Sequence, residues 1–140
     1  MKTLTAFVLL LMAGSLMAAD LPRTPSPAGA KVYIISPKDG KTVKKTFTVQ
    51  FGLKGMGIAP AGVDMPDTGH HHLLIDVDDM PDFSVPLPAS EHIVHFGKGQ
   101  TETQLTLPPG KHTLQLVLGD KIHLPHNPPV VSEKITITVK

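Results

Sequence analysis

The sequence predicts an all-β fold, an antiparallel immunoglobulin-like β-sandwich of about seven strands. Three observations lead there. No segment of the 140 residues holds a helical period beyond the first twenty. Apolar residues instead alternate at period two in several short runs. Turn-forming Pro and Gly, 14 and 12 in number, separate those runs. A small Greek-key barrel is the alternative.

The runs follow one another along the chain. Val32 and Ile34 open the first strand, which Ser36-Pro37-Lys38-Asp39-Gly40 ends. In the second, Phe47, Val49, Phe51 and Leu53 alternate with Thr46, Thr48 and Gln50, so one face is buried. Residues 54–69 are rich in Gly, Pro and Met and read as a long loop. The third strand, 70–77, is apolar in both phases and therefore central. Residues 78–91 carry Pro81, Pro86 and Pro88 and are irregular or an edge strand. His92–Phe96 is a short fourth strand and Thr101–Leu107 the fifth. Leu114, Leu116 and Leu118 mark the sixth. After a loop over 119–129, Val131, Ile135, Ile137 and Val139 point inward from the last.

Two segments precede this domain. Residues 1–18 combine Lys2, an apolar stretch from Ala6 to Met12 and small residues at Ala18 and Ala19. They read as a secretory signal peptide, too short for a membrane span. Residues 19–30 form a Pro-rich extended leader, and 31–140 the sandwich. The expected location is periplasmic or secreted, with no membrane span after cleavage. The formal charge of +1 loses Lys2 with the signal, which leaves 12 basic against 12 acidic residues. A neutral chain has no electrostatic hold on nucleic acid. With no Cys there is no disulfide, thiolate metal site or thiol nucleophile.

Charge is unevenly distributed all the same. Residues 31–54 hold six Lys and only Asp39 as acid, whereas 55–97 hold seven acids and no Lys or Arg. The second stretch also carries five of the eight His, so its field attracts cations.

The His fall in groups: His70-His71-His72, His92 with His95, His112 alone, and His123-Leu124-Pro125-His126. Side chains alternate across a strand, so His70 and His72 share one face and can grip one cation. His71 turns to the other face, where it is expected to hydrogen-bond. Successive strands alternate direction, so the third begins at the end where the sixth finishes. That brings His70, His72, His123 and His126 together, with His95 from the fourth strand and loop 54–69 as a cap. His112 belongs at the opposite end. Neutral imidazoles suit copper, with zinc as the alternative. The expected ligands are three or so of His70, His72, His95, His123 and His126. Asp76 or Asp120 would hold a ligating ring by its second nitrogen. Met56, Met65 or Met80 would add soft character for Cu(I). The competing assignment is a non-catalytic envelope module of unknown partner, whose His and Asp only pin loops.

Catalysis is not expected. None of Ser26, Ser36, Ser84, Ser90 and Ser132 lies in a Gly-x-Ser-x-Gly elbow, and no Gly-rich phosphate cradle opens a helix. The resulting expectation is an exported metal carrier or buffer, whose expected partners are a metal ion and another envelope protein.

Four motifs reach beyond these arguments: Gly69-His70-His71-His72-Leu73-Leu74-Ile75-Asp76, His95-Phe96-Gly97-Lys98-Gly99-Gln100-Thr101-Glu102, Leu107-Pro108-Pro109-Gly110-Lys111-His112-Thr113-Leu114, and Gly119-Asp120 with His123-x-Pro125-His126. Together they resemble a bacterial family of unknown function, the domain numbered 4399. That resemblance implies an exported bacterial β-domain over most of residues 31–140, and no activity.

Overall fold

The computed structural model describes residues 19–140; residues 1–18, expected to be a signal peptide, lie outside the described residues. Nine strands follow in order: β1 (Lys31–Ser36), β2 (Thr42–Val43), β3 (Thr46–Lys54), β4 (Gly57–Ile58), β5 (Thr68–Ile75), β6 (Ile93–His95), β7 (Glu102–Thr106), β8 (Gly110–Gly119) and β9 (Ile135–Val139). They form two sheets, one ordered β1-β3-β7 and one ordered β2-β9-β8-β5-β4, with β6 also on β5. The molecule is thus an all-β sandwich.

The inner faces meet through alternating apolar side chains. Val32 and Ile34 of β1 and Val49 and Phe51 of β3 pack against Leu73 and Ile75 of β5, Leu114, Leu116 and Leu118 of β8, and Ile137 and Val139 of β9. Burying a Leu or Ile side chain contributes roughly 1.5–3 kcal/mol, so this layer supplies most of the stability that no disulfide provides. A second, smaller cluster of Leu74, Leu87, Ile93 and Val117 lies on the outer face of the larger sheet. Loop 76–92 crosses that face and supplies Leu87. This explains why β5 is apolar in both phases: it is buried on both sides, as an interior strand covered by a loop must be.

Two readings need correction, and a third gains a detail. β2 and β4 are two-residue strands that sequence periodicity misses, and both pair in parallel, β2 with β9 and β4 with β5. Two residues show no alternation, so only the partner strand defines them. Val131 is not an inward residue of the last strand. It bridges Val117 and packs in the outer cluster. The leader, finally, is extended but tied down: Asn127 N donates to Thr24 O and Ser26 N to Asn127 O.

Candidate metal centre

β5 and β8 pair antiparallel, with His70 opposite Gly119 and His72 opposite Val117. β6 lies on the other side of β5 and sets His95 directly opposite His72. Residues facing each other across a ladder project to the same side. His70, His72 and His95 therefore share the outer face of the larger sheet. His70 and His72 are fully buried there, not at an open end.

The loop after β8 brings the remaining ring. Asp120 Oδ1 accepts from the backbone N–H groups of Ile122 and Leu124, both at 3.0 Å, and Leu124 O accepts from Asp120 N. This Asx-type turn tightens the chain around His123, whose φ of 66° lies in the left-handed region. A non-glycine residue held there costs of order 1–3 kcal/mol, a strain that concentrates at functional sites. Leu87 N donates to His123 O and fixes the turn from outside.

His123 Nδ1 thereby stands 2.9 Å from His70 Nε2 and 3.1 Å from His72 Nε2. The rings of His72 and His123 lie 4.4 and 4.5 Å from that of His95, centroid to centroid. A neutral imidazole has one N–H and one in-plane lone pair. His123 Nδ1 can satisfy only one of its two neighbours with good geometry. Beyond this, His70 Nδ1, His72 Nδ1 and His95 Nε2 are buried and have no hydrogen-bond partner among the described residues. Buried orphans of this kind each cost about 1–3 kcal/mol and call for an explanation.

A cation would account for the convergence, since it takes all three lone pairs at once; the proton then stays on Nδ1 of His70 and His72, which still face no acceptor. Ligand nitrogens about 2.0–2.1 Å from an ion stand about 3.3–3.6 Å apart in tetrahedral or trigonal geometry. The two spacings to His123, 2.9 and 3.1 Å, are about 0.2–0.7 Å tighter, and all three ligand atoms lie within 4.8 Å of one another. His70, His72 and His123 thus form a triad that could hold a metal ion.

The rings are neutral, as ligands must be. Burial, reinforced by His123 and His95, lowers the His70 pKa to about 4. Burial lowers that of His72 to about 2, helped by His70, His95 and His123. His123 is lowered in the same way, by burial and then by His95.

Two glycines make room. A Cβ on Gly119 would stand 2.4 Å from His72 Cε1, and one on Gly69 would stand 2.8 Å from His126 Cε1. The second contact places His126. Gly69 shares its face with His71 and Leu73, so His126 lies on the inner side of the sheet, away from the triad. Its Nε2 donates to Thr68 O at 3.0 Å and its Nδ1 is 3.4 Å from Leu118 O. His126 pins the loop and is not among the converging nitrogens, contrary to the sequence expectation.

Both acids also depart from their expected roles. Asp76 sits at the far end of β5, where its Oδ2 is 2.7 Å from His112 Nδ1. Asp120 holds no ring: its second oxygen accepts from Thr24 Oγ1 at 2.6 Å. His71 does turn inward, 5.0 Å from the Phe51 ring, but neither of its nitrogens finds a partner, because that interior is apolar. Burial lowers its pKa to about 4. Met56 packs against the inner core, while Met65 and Met80 are exposed.

Sequence reasoning missed Arg23 and Thr24. Arg23 donates to the carbonyls of Pro125, at 3.0 Å, and His126. A Pro-rich leader gives no periodic signal of such contacts. Gly119 and the turn-capping role of Asp120 had a signal in the Gly-Asp pair that follows a strand.

Fold and cluster together define a β-sandwich domain with a buried histidine triad suited to a metal ion. The chain belongs to the family described as a domain of unknown function, DUF4399, whose model matches residues 49–140. No match is found among curated proteins. Among solved structures, the chain is similar to the endo-β-1,4-mannanase from Thermotoga petrophila, at 18% identity and a TM-score of 0.48, over 79% of this chain. It spans 20% of that chain. It is also similar to the PKD domain (329–428) of human KIAA0319, at 10% identity and a TM-score of 0.44, over 89% of this chain and 90% of the other. Among the described residues no helix is long and apolar enough to cross a membrane.

Proposed function

We propose that this protein is an exported carrier or buffer of a transition metal, copper, bound by His70, His72 and His123 with His95 beside them. The observation that carries this reading is the convergence of His70 Nε2 and His72 Nε2 on His123 Nδ1, which can pair well with only one of them. All-nitrogen neutral donors suit copper, with zinc next. The apolar stretch that opens the sequence supports export to the periplasm or beyond. Carriage fits better than turnover, because two of the three ligands, His70 and His72, are fully buried and only His123 is partly open.

Titration of metal-free protein with copper and zinc, followed by thermal unfolding, tests the reading. Metal at about a thousandfold over Kd stabilises by about 4 kcal/mol. The His70/His72/His123→Ala variant is expected to lose this stabilisation entirely, and His126→Ala to retain most of it. Equal, weak binding by wild type and triple variant would remove the site.

A further inference from the structure

We infer that His95 is the transfer ligand of the cluster: it takes the ion from solvent, passes it to His70, His72 and His123, and takes it back on release. This rests on the metal-site reading above and adds the route by which the ion enters and leaves.

His70 and His72 have no exposed surface. Of the four rings in the cluster only His95 and His123 are half-buried, so an ion from solution passes one of these two. They differ in freedom. His123 is held on three counts: its Nδ1 meets His70 and His72, its carbonyl accepts from Leu87 N, and its N–H donates to Asp120 O. The His95 ring makes no hydrogen bond among the described residues. Its Nε2 is buried and unpaired, and its Nδ1 is open to solvent. It also ends β6, a three-residue strand that pairs with β5.

Position suits the task. His95 stands opposite His72 across the ladder, and its ring is 4.4 Å from that of His72 and 4.5 Å from that of His123, centroid to centroid. It is not one of the three residues whose ligand atoms all lie within 4.8 Å of one another. An ion seated in the triad is therefore not shared with His95 in this arrangement. Rotation of an untethered side chain carries Nε2 to an ion on its way in or out.

The step is a ligand exchange. With its proton on Nδ1, toward water, His95 has a free lone pair on Nε2. That pair bonds the incoming ion as a water leaves it, and the bond breaks as the triad nitrogens close on the ion. His95 neither gains nor loses a proton. The role also explains a buried nitrogen that the triad leaves unused.

Stopped-flow mixing of metal-free protein with Cu(II), and of copper-loaded protein with excess chromophoric chelator, reads loading and release. Equilibrium competition reads Kd. A ligand used only in passage lowers the barrier in both directions and leaves the bound state alone. His95→Phe keeps an aromatic ring against His72 and His123 but has no lone pair. It is expected to slow loading and release by about tenfold or more each, with Kd held within about threefold. His95→Gln, smaller and a far weaker donor, should show the same pattern, which separates loss of the donor from misfit of the larger ring. Weaker binding with faster release would make His95 a fourth ligand, and unchanged rates would make it a packing residue. Either result overturns the transfer role and leaves the metal site standing. His92→Phe, whose ring bonds Ile75 O away from the cluster, should alter neither rate, and equal slowing there also overturns the role. Failure of the wild type to bind copper overturns both readings.

Discussion

The two ends of β5 treat histidine in opposite ways. At the Asp76 end, His112 Nδ1 meets a carboxylate at 2.7 Å and its Nε2 donates to Pro108 O at 2.8 Å, while His92 Nδ1 lies 2.9 Å from Ile75 O. Each of these rings faces an oxygen. At the His70 end, rings face rings, and buried nitrogens stay unpaired. His112 has its pKa raised, chiefly by the Asp76 hydrogen bond, and the triad has its pKa values lowered, chiefly by burial. Residue type is the same, so the difference lies in what each ring was given to bind. Satisfied rings hold structure, and unsatisfied converging rings mark a site.

Acidification should separate the two ends most strongly. His70, His71 and His72 have folded pKa values below the usual 6.5. Above pH 6.5 they are neutral in both states and contribute nothing to pH dependence. Below it the unfolded chain takes up protons that the folded chain refuses, so stability falls as pH drops from about 6.5 toward 4 for His70 and His71 and on toward 2 for His72. Metal-free protein is expected to lose about 5 kcal/mol in all between pH 7 and pH 5, at just under about 2 kcal/mol per ring. Urea unfolding in the presence of a chelator measures it. Unchanged stability over that interval would mean that the rings protonate in place.

Adding a single methyl group at each end of β8 sharpens the contrast. The Cβ of Gly119→Ala enters the His72 ring, which is walled in on every side, and overpacking of this kind costs about 1–3 kcal/mol. Gly110, at the other end, has φ 135° and open space around it, so Gly110→Ala costs about 1 kcal/mol through backbone strain alone. Stability drops in both variants. Metal affinity should fall only in Gly119→Ala, and an equal fall in the two would show that the site responds to general loosening.

Much of this organisation is legible in the sequence, for identifiable reasons. Period-two alternation located the long strands, because burial on one face leaves a mark on every second residue. Counting strand directions brings His70, His72, His95 and His123 to one end from the sequence alone. The same reasoning placed His126 with them and failed, since three residues in a loop are enough to pass from one face of the sheet to the other. What sends it there is the left-handed turn at His123 and a hydrogen bond to Thr68 O, both set by tertiary contacts. Asp76 was misassigned for a related reason. It follows the strand that carries His70 and His72, but that strand spans the molecule, and Asp76 N donates to Thr113 O at the far end.

The smallest effect tests the satisfied end. Asp76 Oδ1 accepts from Thr113 N at 2.9 Å, and its φ of 55° is one that Asn also tolerates. Asp76→Asn therefore keeps the backbone contact and removes only the charge that favours protonated His112. A raised folded pKa contributes stability that is complete below about 6.5 and disappears as pH rises through the folded value. The variant should be less stable than wild type by under about 1 kcal/mol at pH 6, a magnitude set by the partial exposure of the pair. By pH 9 the two proteins should converge. Thermal unfolding at both pH values reads this out, and metal affinity at the other end should not move. A gap that widened with pH would reverse the sign of the pair's contribution, and a change in metal affinity would show that the two ends of β5 are coupled.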